Sequence, residues 1–246
     1  MAPESTSTIP LSPTATAKSE DFSAVTRSLQ SRIRLLDWLL FAIVCSLGFL
    51  LASTPARNSD LWLHLAAGRS IAEGQPWGID PFTYTAGGVY WVNHSWLSDW
   101  LLYRLYQTGS GTALVLAKCL LVTAIAAMFL CFRRRGSGMG MAAFAACLAL
   151  VATGPWLLLQ PLLFSLLGLI LTLWLLERPA FVDESKIQKA RRMRWLLLPL
   201  FALWANLDGW FLLGPILVGL YALAEGLTAM VGERGAQRRE FGTLLL

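Results

Sequence analysis

The chain has 246 residues, of which 56% are hydrophobic and 14% charged, and its formal net charge is +5. A mean hydropathy of +0.56 excludes an ordinary soluble domain and predicts several membrane spans. The positive charge does not indicate nucleic acid. Lys and Arg cluster between apolar segments, as in loops facing the cytoplasm, instead of covering a soluble face. Cys45, Cys119, Cys131 and Cys147 are scattered through apolar stretches without CxxC spacing, so they read as small hydrophobes and imply neither a disulfide framework nor a metal site.

Residues 1–24 are rich in Ser, Thr, Pro and Ala, can bury little apolar surface and predict a disordered cytoplasmic tail. Arg27, Arg32 and Arg34 precede the first apolar run, Leu35–Ala52, which predicts a transmembrane helix with its N-terminus inside. The polar lead is too long for a cleaved signal peptide and has no clean small-x-small site. A polar, aromatic-rich loop then covers residues 55–110. The second span is expected near 113–132 and stops at Arg133-Arg134-Arg135. As one helix the third block, Met139–Leu176, would be roughly 55 Å long, too long for a hydrocarbon core of about 30 Å. Pro155 and Pro161 give it a place to turn, so spans are expected near 139–155 and 161–176. The fourth block, Trp195–Val231, breaks naturally at Asn206-Leu207-Asp208-Gly209, giving spans near 195–207 and 210–231. Phe241–Leu246 reads as the start of a further apolar segment, so the sequence is expected to be a piece of a larger membrane protein.

Charge orients these segments. The basic residues fall mainly in Lys18–Arg34, Arg133–Arg135, Arg178–Arg194 and Arg234–Arg239, whereas the long loop holds only Arg57, Arg69 and Arg104. If the four basic segments are cytoplasmic, the chain crosses an even number of times between neighbours. The expected fold is therefore all-α and integral to the inner (plasma) membrane, with about six transmembrane helices and both termini cytoplasmic. The halves of the last two blocks are short, which suits tilted or incomplete spans. The 55–110 loop lies outside. Trp62, Leu65, Trp96, Leu97, Trp100, Leu101 and Tyr103 predict two amphipathic juxtamembrane helices in it, because aromatic rings with a polar edge favour the membrane surface.

The candidate chemistry lies in that loop. Asp60 and His64 are four apart, so a helix starting at Asp60 puts both on one face, one turn from each other. Asp60 reads either as an N-terminal cap or as a carboxylate that activates a nucleophile, with His64 as its hydrogen-bond partner or as a phosphate ligand. His94 and Asp99 lie on or near the second juxtamembrane helix, from which they could face Asp60 across a shared cavity, although nothing in the sequence requires it. Asn93-His94-Ser95 matches the N-glycosylation pattern, which is short and frequent by chance. Lys118, about two turns inside the second span, either snorkels to the headgroups or binds a lipid phosphate. Asp208 is either a tip residue of the last hairpin or part of the same polar cavity.

Three segments together carry a family resemblance: Asp60-x-Trp62-x-His64-Leu65-Ala66-x-Gly68-Arg69, then Asp80-Pro81-Phe82-x-Tyr84-Thr85, then Trp91-x-Asn93-His94-x-Trp96-Leu97. With the preceding helix they resemble the bacterial GT-C-like membrane glycosyltransferases, relatives of the dolichyl-phosphate-mannose protein mannosyltransferases and of the RgtA/B/C/D-like group. The resemblance covers roughly residues 35–230 and is specific over Asp60–Leu97. It implies a membrane helical bundle whose first outer loop bears an acidic residue and two juxtamembrane helices, and a sugar donor carried on polyprenyl phosphate. Carried over, Asp60 becomes the candidate catalytic base, and His64, Arg69, His94, Lys118 and Asp208 the candidate substrate-binding residues. No metal and no cofactor are implied. The expected partners are membrane lipid and the polyprenyl-phosphate sugar donor, with no nucleic acid. Three positions depart from the pattern: Ser95 stands where Glu is expected, Gln160-Pro161 where Arg-Pro is expected, and Asn206-Leu207-Asp208-Gly209 where Asn-x-His-Gly is expected.

Two functions of different class follow. One is glycosyl transfer from a polyprenyl-phosphate-linked sugar to an acceptor at the outer membrane face. The other is a non-catalytic GT-C-like scaffold that binds lipid or a protein partner. A transporter is disfavoured because the spans are poor in paired charges.

Overall fold

The computed structural model describes residues 13–55, 59–75, 78–80, 82–85, 89–133, 138–177, 188–189 and 191–244. Seven α-helices follow in order among them: α1 (Pro13–Ala52), α2 (Ser59–Ala72), α3 (Trp96–Leu130), α4 (Gly140–Thr153), α5 (Leu162–Glu177), α6 (Leu197–Leu207) and α7 (Leu213–Leu244). Short 3-10 turns at Gly154–Trp156, Met193–Leu196 and Gly209–Leu212 lead out of α4 and into α6 and α7. The described residues contain no strand beyond an isolated bridge between Ile79 and Tyr90.

An all-α membrane architecture is what this chain has, but not six full-length spans. Three helices are long and apolar enough to cross: Val25–Ala52 (28 residues), Trp96–Leu130 (35 residues) and Gly209–Thr228 (20 residues). The helices made by splitting the two long blocks are shorter. Helix α4 has 14 residues and α5 has 16, about 21 and 24 Å at 1.5 Å per residue, against a core of about 30 Å. Met193–Leu207 belongs with them. The reason is local: the breaks at Pro155, Pro161 and Asp208 each consume several residues, leaving less than a full span on either side.

Helix α1 reaches back to Pro13, so Pro13–Ala24, expected to be part of a disordered tail, is helical, while residues 1–12 lie outside the described residues. Extending a nucleated helix through Ala15, Ala17 and Ala24 costs far less than starting one. Proline at its first position needs no hydrogen-bond donor.

The packing shows how the chain winds. Thr54, Gly48 and Asp37 on the α1 side meet Lys118 and Ala126 of α3 and Arg133 just beyond it in reverse order, so the two run antiparallel. Asp37, Gly48 and Leu51 meet Met139, Leu150 and Gly154 in the same order, so α4 runs parallel to α1. A Cβ at Gly48 would lie 3.3 Å from that of Ala126; the missing side chain lets the backbones close, as is usual where helices pack inside lipid. Val44, Val122, Ala126 and Leu150 form the middle of this core. Helices α5, α6 and α7 make a second group, in which Leu175, Leu176 and Leu197 pack with Phe201, Leu217 and Tyr221. Arg133 and Arg194 sit at one end of the molecule, and α2, the first turns of α3 and the tip of the α6–α7 hairpin sit at the other.

Helix α3 contains both an expected juxtamembrane helix and an expected span. Gly109 (φ −145°, ψ 19°) and Ser110 (φ 52°, ψ −149°) break its geometry between the two parts. A non-glycine residue rarely adopts the Ser110 conformation, and the glycines on both sides make room for the change of direction. Helix α2 does not lie loosely on a surface. It inserts Leu61 and Leu65 into the main core and leaves Trp62 and Leu63 exposed.

Candidate functional site

The α2–α3 crossing organises the loop end. A Cβ on Gly68 would stand 2.1 Å from the Asp99 carbonyl oxygen, so only glycine lets α2 lie this close to α3. That contact brings His64 to Asp99. His64 Nδ1 lies 2.7 Å from Asp99 Oδ1, and Asn93 Nδ2 donates to Asp99 Oδ2 at 2.7 Å. Asn93 is itself oriented by the Ser95 amide, which donates to its Oδ1 at 2.9 Å. Asp99 is 2% exposed. Because a carboxylate can only accept, the hydrogen of this bond sits on His64 Nδ1. The imidazole is one-fifth exposed, and among the described residues its other nitrogen, Nε2, makes no hydrogen bond.

The same turn of α3 holds the tip of the α6–α7 hairpin. Trp96 Nε1 donates to Asn206 Oδ1 at 2.9 Å, and the Ser98 hydroxyl lies 2.8 Å from the carbonyls of both Ser95 and Leu207. Beneath the tip, Trp204 is 1% exposed and covers Gly168, where a Cβ would stand 2.6 Å from its ring, and it packs with Phe201 over Gly214, where a Cβ would meet the Phe201 ring at 2.5 Å. Its indole N–H donates to Ser165 Oγ at 2.7 Å, and Ser165 in turn donates to the buried Asp208 carboxylate.

The candidate residues therefore divide. Asp60 stands exposed in the first turn of α2, where an acid favours the helix dipole. His64 is one turn further along, and its hydrogen bond goes to Asp99 rather than to Asp60. His94 is exposed, with its Cβ 3.8 Å from the position a Gly209 Cβ would take, which places it beside the hairpin tip. Asp208 is buried one residue before that tip. Lys118 is 1% exposed and donates to Thr54 O at 2.7 Å and to Thr54 Oγ1 at 3.3 Å, past the carboxyl end of α1. Arg69 is exposed and pairs with Glu73 at 2.7 Å, apart from the others. The Asn93-His94-Ser95 acceptor pattern has its asparagine committed to Asp99 and Ser95. Pro81 and the Ala86-Gly87-Gly88 turn lie outside the described residues.

An open cleft of about 450 Å³ lies where α1 ends, α2 begins and α3 kinks. Leu61, Trp62, Leu65, Tyr106, Leu114 and Val115 make most of its wall. Asp60 directly precedes Leu61 in the first turn of α2, the helix whose start borders this recess, but its side chain is not part of the wall. The Arg104 guanidinium lies 5.5 Å from the Trp100 ring centroid on the same juxtamembrane half of α3. Such a stacked pair suits the headgroup level.

No family model, curated protein or solved structure matches this chain. Among the described residues no three His, Cys, Asp or Glu side chains gather as a metal set.

Several partners could not be read in advance. Asp99 was visible as a polar residue on the second juxtamembrane helix, but its pairing with His64 depends on how two helices cross. Ser165, Trp204 and Asn206 carried one signal: polar or bulky residues opposite glycines inside apolar blocks. Thr54 had no sequence signal as the Lys118 partner.

Proposed function

We propose that this protein moves a glycosyl group from a polyprenyl-phosphate-linked sugar to an acceptor at the outer face of the inner membrane. An apolar cleft at the start of α2, the helix whose first turn bears Asp60, carries this reading. A recess walled by Leu61, Trp62, Leu65 and Tyr106 suits an isoprenoid chain entering from the bilayer, and the phosphate-linked sugar would emerge near the first turn of α2. The resemblance over Asp60–Leu97 supplies the reaction class, with Asp60 drawing the proton from the acceptor hydroxyl. In this reading the chain crosses the membrane six times, three of the crossings short, with its basic loops and termini cytoplasmic.

Asp60→Asn keeps size and capping ability while removing the proton acceptor. The full chain in nanodiscs is given a panel of polyprenyl-phosphate hexoses and pentoses with membrane extract as acceptor, and release of polyprenyl phosphate is followed. The variant is expected to fall on the order of 100- to 10,000-fold in rate at unchanged thermal stability; near-normal turnover makes Asp60 a cap only. Topology is checked separately with single cysteines at Thr85 and Gly138 in a background lacking the native four. Labelling of the Thr85 site only from the cytoplasm overturns the orientation.

The second reading, a non-catalytic scaffold that binds polyprenyl phosphate, is favoured by the way Lys118 and Asp208 are already satisfied inside the protein. Tight binding of polyprenyl phosphate with no release from any sugar-linked form would support it.

A further inference from the structure

We infer that His64, locked by Asp99 and Asn93 as its Nδ1–H tautomer, is the final proton acceptor of the site and relieves Asp60 of the proton it takes from the acceptor. The inference rests on the glycosyl-transfer reading and adds to it a residue role and an internal scaffold.

Three bonds, taken in order, set the tautomer. The Ser95 amide donates to Asn93 Oδ1 at 2.9 Å, which fixes the Asn93 amide so that its NH2 faces Asp99. Asp99 therefore receives a hydrogen on Oδ2 from Asn93 and one on Oδ1 from His64. At 2% exposure the carboxylate has little solvent to compensate if either donor is lost. A neutral imidazole carries one ring hydrogen; this one is held on Nδ1, so Nε2 keeps its lone pair. Nε2 has no hydrogen-bond partner among the described residues and the ring is one-fifth exposed, while its Nδ1 side is turned into α3. A purely structural histidine would have served with either nitrogen facing outward. Here two side chains and a backbone amide determine which one does.

Asp60 and His64 share a face of α2 one turn apart, a rise of about 6 Å, a gap one water or the substrate hydroxyl can bridge. The step balances as follows. The acceptor O–H bond breaks and its proton passes to Asp60. The oxygen lone pair forms the new bond to the anomeric carbon, the carbon–oxygen bond to phosphate breaks, and polyprenyl phosphate leaves with that electron pair. The proton then moves from the Asp60 carboxyl to His64 Nε2, which restores the carboxylate, and water removes it from the imidazolium.

The chain has 2 histidines, so imidazole nitrogen resonances of the full-length protein in nanodiscs can be assigned by losing one with His64→Gln. Above the usual imidazole titration range, His64 is expected as the Nδ1–H form. In Asp99→Asn the new amide must offer its oxygen to Asn93, because Asn93 can only donate there. Its NH2 then faces His64 Nδ1, and the ring is expected to switch to the Nε2–H form. An Nε2–H ring in the unaltered protein, or no switch in Asp99→Asn, overturns the inference.

The role is separated from structure by His64→Asn. Asparagine can donate to Asp99 from the place of Nδ1 but has nothing in the place of Nε2. Stability is expected to hold while polyprenyl-phosphate release falls on the order of 100-fold or more. Transfer at the normal rate in His64→Asn overturns the relay and leaves the glycosyl-transfer reading intact. No release by the unaltered chain overturns that reading, and the relay with it.

Discussion

The two ends of the bundle are held by different kinds of bond. At the basic end, opposite charges meet in partly solvated pairs: Arg133 with Asp37 at 2.6 Å, and Arg194 with Glu225 at 3.5 Å. At the loop end, buried carboxylates are held by neutral or uncharged-tautomer donors: Asp99 by Asn93 and His64, Asp208 by Ser165. Solvated ion pairs tolerate movement and contribute little. Buried carboxylates with matched donors fix orientation, because any slip strands a charge away from water. The loop end is thus built for precise placement and the basic end for attachment.

If that contrast is right, the largest loss should come from the loop-end hub. Trp204→Ala empties the space over Gly168 and Gly214 and removes the indole donor from Ser165. Unfolding in mixed micelles is expected to show a loss of about 3–5 kcal/mol; a loss below 1 kcal/mol would mean that the hairpin tip is not anchored there. Next comes Gly68→Ala. Its methyl meets the Asp99 carbonyl, which belongs to backbone and cannot rotate away, so a cost of about 1–3 kcal/mol is expected. It should also raise amide exchange across residues 61–71, because α2 must lift off α3. Unchanged exchange would show that the two helices can part without consequence.

At the basic end, a double-mutant cycle of Asp37→Asn with Arg133→Gln is expected to give a coupling of only about 0.2–1 kcal/mol, since the two side chains are 22% and 36% exposed and solvent screens the pair. A coupling above 2 kcal/mol would erase the distinction between the ends. The smallest effect is expected in the exposed part of the loop. Asp80 accepts from the Thr83 hydroxyl and from the Phe82 amide at 2.8 Å, which hold its carboxyl below the usual carboxylate range. Its folded pKa is depressed, so the stabilisation is complete above the unfolded value and is lost as pH falls through the folded one. Amide exchange at Phe82 and Thr83 should quicken on acidification through that window while Leu61–Ala67 stays protected. Parallel change in both would show that the turn and the docked helix are one unit.

The helical, membrane-inserted class was legible because apolar runs, prolines and basic clusters are local features. The turn at Asp208-Gly209 follows from the same kind of signal: α6 ends at Leu207. The length of the split helices was harder, because residues spent in the 3-10 turns at Gly154 and Gly209 are as apolar as the helices they interrupt. The candidate site was legible as a set of residues and not as a set of pairs. Spacing put Asp60 and His64 on one face, yet His64 turns to Asp99, 35 residues away, because Gly68 admits α3 on that side. The motif around Asp60 also reads differently in three dimensions. Leu61, Leu65, Ala67 and Gly68 dock the helix, while Asp60 is exposed and His64 is partly so.

In the six-crossing reading, helices of 14 and 16 residues would not hold a bilayer at its resting thickness. Met141, Phe144 and Leu148 are exposed on α4, so lipid against that surface would have to shorten to keep them covered, at fractions of a kcal/mol for each Å. Beside the 28-residue apolar part of α1 it would not. One molecule would then impose two thicknesses on its surroundings. Membranes that thin at low cost will accept it more readily than stiff, thick ones.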